Sequence, residues 1–174
     1  MATLAQLAKL TPNNIRKNAG HCRTRVVRSI ETKDDDGFDC KQVFLQSISP
    51  KPYGSGKRRN IIIRLYGDDP DQNSRAVVWC PCEYFLYFLE VADTIKASSF
   101  LLNSNGKLPV IRNPKTIPYL CKHLYSSVPL ALKARTSKKG PTSAEKTMMK
   151  VINKRWSITE SFQRKNKLKR TVKR

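Results

Sequence analysis

A chain of 174 residues with 39% apolar content can build one compact domain of ordinary size plus some extra surface segments. Its 34 lysines and arginines against 13 aspartates and glutamates give a net charge of +21, more than solubility requires, which points to a polyanionic partner. The first apolar run, residues 4 to 10, is short and interrupted by Gln6 and Lys9, and no stretch reaches bilayer-spanning length, so a soluble protein inside a cell or a particle is expected, with neither leader nor membrane span.

Residues 3 to 10 predict a short amphipathic helix. Thr11-Pro12 has the form of an N-cap followed by proline at the first helical position, with Gly20 as the stop, so a second helix completes an N-terminal arm over residues 1 to 20. Residues 22 to 32 and 38 to 49 are rich in Val, Ile, Phe and Thr and enclose Asp34-Asp35-Asp36-Gly37, the chemistry of a hairpin turn. A Pro/Gly-rich connection, "SPKPYGSGKRRN", leads to an apolar strand "IIIRLY", and a second acidic turn, "GDDPDQNS", leads to "RAVVWC". Four antiparallel strands are therefore expected.

Tyr84, Phe85, Phe88, Leu89, Ala92 and Ile95 recur at three- and four-residue spacing and predict one helix over residues 83 to 97. Residues 99 to 112 hold two short apolar pieces around Asn105-Gly106, the strongest hairpin signal in the chain. Residues 120 to 134 read as a helix kinked or interrupted at Pro129. Thr142-Ser143-Ala144-Glu145 forms a capping-box pattern and opens a helix carrying Met148, Met149, Ile152 and Trp156. From Lys133 onward fifteen basic residues face only Glu145 and Glu160, so +13 of the +21 lies in the last quarter, and such a tail is expected to be disordered or to lie on an anionic surface. The fold class is α+β: a small antiparallel sheet with helices in residues 21 to 134, and a basic helical extension and tail over 135 to 174.

Five cysteines, an odd number without framework spacing, are expected as reduced thiols. Cys80-x-Cys82, thirty-eight residues, then Cys121-x-His123 supply three thiolates and one imidazole, a ligand set suited to one tetrahedral zinc ion. On a strand a two-residue spacing projects both side chains to one face, so Cys80 and Cys82 can chelate from the end of "RAVVWC". On a helix the same spacing turns them roughly 200° apart, so the later helix must begin at or near its pair, with Cys121 at the boundary. Three thiolates, a neutral imidazole and Zn²⁺ sum to −1, which Lys122 helps balance. With every position held by protein the ion is structural, and since neither a Ser-His-Asp nor a two-carboxylate arrangement is legible, no enzyme is expected. His21, Cys22 and Cys40 offer only three ligands and fall at sheet positions, while "GSGKRRN" lacks the spacing of a phosphate-binding loop and reads as a basic connection.

"VWCPC" and "PYLCKHLYS" resemble the SWIM-type zinc finger, whose pattern is Cys-x-Cys, a variable gap, then Cys-x-His, over roughly residues 60 to 132. The resemblance puts the ligands on Cys80, Cys82, Cys121 and His123 and leaves 99 to 112 as an insertion. The stretch from "NSNGKLPVIRN" to "CKHL" further resembles SWIM-like proteins of tailed bacteriophages, which implies a virion or host cytoplasm as setting and nucleic acid or other virion proteins as partners, with no small-molecule substrate. Phosphate contact without sequence preference is expected from Lys138, Lys139, Lys154 and Arg155 and from the tail residues Arg164, Lys165, Lys167, Lys169, Arg170, Lys173 and Arg174. Trp156 and Phe162 are available to stack on bases. The other reading is an assembly protein whose basic ends dock on acidic protein neighbours.

Overall fold

The computed structural model describes residues 1 to 34, 37 to 95, 98, 99, 113, 115 to 137 and 142. Two helices open the chain, α1 (Leu4–Leu10) and α2 (Asn13–Ala19). Thr3 caps the first in a full capping box: its Oγ1 accepts the Gln6 N–H at 3.1 Å, and Gln6 Oε1 accepts the Thr3 N–H at 3.0 Å. The second begins one residue later than expected, with Pro12 as its N-cap. Thr11 is occupied elsewhere, donating to the Leu7 carbonyl and accepting the Leu120 N–H, so it ties the arm to a segment 109 residues away.

Four strands follow: β1 (Arg23–Lys33), β2 (Asp39–Ile48), β3 (Arg58–Tyr66) and β4 (Ala76–Trp79). They pair antiparallel, as expected, and in chain order, which makes the sheet a meander. β3 starts before Ile61 because Arg58, Arg59 and Asn60 find partners in Ile48, Ser47 and Gln46. A meander sets its turns at alternate ends. The β1–β2 and β3–β4 connections, with Gly37 at φ 84° and Gly67 at φ 119°, lie at one end; the β2–β3 connection and the residues after β4 lie at the other.

β2 and β3 are covered on both faces, which is why they read as continuous apolar runs. Val43, Leu45, Ile61, Ile63 and Val78 belong to the main core with Leu4, Leu7, Phe85, Leu120 and Leu124. Ile30, Phe44, Ile62 and Val77 form a second cluster. β1 slips register between Val26 and Arg28, a bulge that leaves Val27 55% exposed.

Over residues 83 to 95 the expected helix is two helices, α3 (Glu83–Phe88) and α4 (Glu90–Ile95), meeting at Leu89, the C-cap of α3, whose φ of −116° departs from the usual helical value. Apolar spacing does not register two polar residues buried in this segment. Glu90 and Asp93 are fully buried: Trp79 Nε1 donates to Glu90 Oε1 at 3.3 Å, and the Tyr119 N–H donates to Asp93 Oδ1 at 3.1 Å. The last described helix, α5 (Lys122–Lys133), runs through Pro129 without interruption, packed on α2 and on β1 to β3. The extension from 138 and the hairpin expected around Asn105-Gly106 lie outside the described residues.

Burial holds the Asp93 carboxyl well above its ordinary pKa of 3.8, and the Tyr119 N–H offsets this only in part. The folded protein therefore keeps a proton that the unfolded chain has released, so Asp93 withdraws stability as pH rises above about 4. Asp93→Asn keeps the acceptor for Tyr119 and removes the ionisation. Urea denaturation across pH is expected to show the variant gaining on the parent protein from about pH 4 toward neutrality, and parallel pH profiles would contradict this.

Candidate metal centre

The cluster sits where strands give way to helices. β4 ends at Trp79, Cys80 follows, and Pro81 has no N–H to extend the ladder. Cys82 has extended backbone angles (φ −79°, ψ 146°) and is the N-cap of α3, its Sγ accepting the Phe85 N–H at 3.4 Å in the place where serine or aspartate usually serves. Cys80 and Cys82 thus lie just beyond the strand, in a strand-to-helix connection. Cys121 is the extended N-cap of α5 (φ −71°, ψ 166°), and His123 is the second helical residue. Because Cys121 stands outside the helix, the two-residue spacing no longer turns the pair apart, as the sequence argument requires.

The ligand atoms of Cys80, Cys82, Cys121 and His123 all lie within 4.8 Å of one another, and all four residues are buried. Cys80 Sγ is 4.0 Å from His123 Nδ1. A tetrahedral ion holding sulfur at about 2.3 Å and nitrogen at about 2.0 Å sets its ligand atoms about 3.6 to 3.8 Å apart, so shifts of at most about 1 Å close the site around one metal ion.

The thiols do not share charge equally. Burial pushes Cys80 and Cys121 well above the ordinary thiol value of 9.0. Cys82 is held below it, chiefly because its sulfur accepts hydrogen bonds from the Cys121 and Cys80 thiols. The lowered Cys82 and the raised Cys80 and Cys121 make Cys82 the thiol that gives up its proton first, and a divalent cation would draw off the others. Cationic groups flank the cluster. Arg59 Nη1 reaches the Pro81 carbonyl at 3.5 Å, and Lys122 Nζ donates to the Tyr53 carbonyl. A cleft of about 380 Å³ beside Cys82, Cys121 and His123 is lined further by Asn14 and Asn18 of α2 and by Arg59. Sequence reasoning missed these three, since nothing local in Arg59 or in the α2 asparagines points to residues so distant in the chain.

His21, Cys22 and Cys40 are not brought together. His21 stacks on Tyr53 with ring centroids 3.6 Å apart, Cys22 precedes β1, and Cys40 Sγ donates to the Thr32 carbonyl at 3.3 Å near the far end of that strand. The basic residues expected to contact phosphate, from Lys138 to Arg174, lie outside the described residues. No described helix is long and apolar enough to cross a membrane. Compared with protein-family models, curated proteins and solved structures, the chain finds no match.

Cobalt(II) added to the reduced, metal-free protein should saturate at one equivalent, with a thiolate-to-metal charge-transfer band and release of about two protons per ion. Because those protons compete with the metal, affinity should rise with pH through the neutral range. Cys121→Ser should weaken the band, whereas Cys22→Ser should leave it intact; an unchanged spectrum in Cys121→Ser would remove the cluster as the binding site.

Proposed function

We propose that this is a non-enzymatic protein, stabilised by one structural zinc ion, that contacts nucleic acid through its basic side chains. The observation that carries the reading is the convergence of three buried sulfurs and one imidazole nitrogen, from segments thirty-eight residues apart, into one cluster. Zinc suits this set because thiolate and imidazole donors in a tetrahedron match its preferences and a d¹⁰ ion imposes no other geometry. Four protein ligands would fill the coordination sphere, leaving no place for an activated water, which supports a structural over a catalytic role.

The charge of +21 supports a polyanionic partner, and its concentration after Lys133 supports phosphate contact by the extension, from Lys138, Lys139, Lys154 and Arg155 to the seven basic residues of the tail. Such contacts read backbone charge and not sequence. The resemblance to phage SWIM-like proteins is what supports a setting in a virion.

Binding of a labelled single strand should weaken steeply with salt, and removing residues 157 to 174, which deletes seven cations, should abolish most of the affinity and lower the logarithmic salt slope by about 5. Affinity that stays constant through the titration would refute the electrostatic reading. Zinc removal should unfold the domain, seen as loss of near-ultraviolet circular dichroism.

A further inference from the structure

The described body is polarised along its strands. Asp34 and Asp39 flank the β1–β2 connection, and Asp68, Asp69 and Asp71 occupy the β3–β4 connection, all at one end of the sheet. At the opposite end, where the metal cluster sits, residues 49 to 57 carry Lys51 and Lys57 and no carboxylate. The strand ends there add arginines. Register sets Arg23, Ile48 and Arg58 in one row across β1, β2 and β3, and Arg25, Gln46 and Asn60 in the next row but one. Side chains two apart on a strand share a face, so Arg23, Arg25 and Arg58 belong to one patch, about 10 Å across two strand spacings and about 7 Å along the strand.

Two features make this patch a built surface. Arg25 Nε and Nη2 both donate to Gln46 Oε1, at 3.2 and 2.8 Å, and Gln46 Nε2 donates to Asn60 Oδ1 at 3.1 Å, so a polar relay fixes the guanidinium. Arg23, Arg25 and Arg58 are exposed around a groove of about 250 Å³, and among the described residues no carboxylate pairs with any of them. At the same end Tyr53 is 47% exposed and stacks flat on His21, with ring planes 5° apart. Its backbone carbonyl is anchored by Lys122, next to the ligands Cys121 and His123.

We infer that this end of the sheet is a second nucleic-acid contact, in which Arg23, Arg25 and Arg58 take two or three successive phosphates and the Tyr53–His21 stack takes an unpaired base. The inference rests on the nucleic-acid reading above and extends it from the tail to the folded body. Guanidinium groups at the same end of the sheet as an exposed aromatic stack suit a single strand better than an acidic peptide, because a base supplies the ring face that a carboxylate lacks. The metal cluster has a part in this, since the helix it fixes carries the lysine that holds Tyr53.

The test is fluorescence anisotropy with the full-length, metal-loaded chain and labelled oligothymidine across a salt titration, with polyglutamate as the competing polyanion. Arg23→Gln, Arg25→Gln and Arg58→Gln combined should weaken binding about tenfold or more at low salt and lower the salt slope by about 2, at about 0.7 per lost contact on a single strand. Tyr53→Ala should weaken oligothymidine binding at least about fivefold and leave polyglutamate binding unchanged, with Tyr53→Phe behaving as the parent protein. Metal content and circular dichroism establish that each variant is folded, and the exposed arginine variants decide the matter if Tyr53→Ala is not. Steep salt-dependent binding that the triple variant leaves intact would overturn the patch and spare the tail. No binding by the parent chain would overturn both, and a Tyr53→Ala loss as large on polyglutamate as on oligothymidine would replace nucleic acid with an acidic protein as the partner.

Discussion

Three sulfurs withdrawn from water beside an imidazole cannot all be anions within a few ångströms: either thiols keep their protons or a cation stands among them. Cys82 is the thiol whose proton is held most weakly, because its sulfur accepts hydrogen bonds from its neighbouring thiols and the Phe85 N–H. With the proposed zinc ion in place, all three become thiolates and the centre changes from a buried cost to the main tie between β4 and α5. Closing a flexible loop of thirty-eight residues costs on the order of 3 kcal/mol plus a constant, while structural zinc binding contributes about 10 kcal/mol or more. The ion therefore outweighs the loop it closes. The same tie explains the crowding of interactions around it, with α3 capped by a ligand, α5 begun by another, and Thr11 reaching across from the arm to the Leu120 N–H one residue before the third.

A meander of antiparallel strands has a second consequence, which concerns charge. Because successive turns alternate between ends, two acidic connections fall together and the basic one falls opposite, on the side where β4 hands over to the ligands. Neither turn is polar for the sake of its neighbour; topology makes the pattern. The outcome is a body with a positive end next to its Cys/His cluster, so that the element proposed to stabilise the fold and the surface proposed to meet a polyanion depend on the same local geometry.

Buried polar groups decide details that apolar spacing does not. Arg64, 2% exposed, directs its Nε and Nη2 to Gln42 Oε1 at 3.0 and 2.8 Å within the sheet. Glu90 and Asp93 find partners in Trp79 and Tyr119, and the helix breaks at Leu89 between α3 and the segment that carries them.

By itself the sequence determined the α+β class, the four antiparallel strands, and the boundary role of Cys121, because each follows from local rules: alternation, turn chemistry, and the angle that two helical residues subtend. It also named four residues that the fold then gathered, since few other side chains in the chain can ligate a soft cation. The tertiary structure alone decided the division of residues 83 to 97 into two helices, the loss of Cys80 from the strand, the neighbourhood of Arg59, Asn14 and Asn18 at the cluster, and the assembly of Arg23, Arg25 and Arg58 into one patch. Those outcomes depend on contacts between residues tens of positions apart, and the physical quantities that settle them, desolvation and partner geometry, have no value until the chain has closed upon itself.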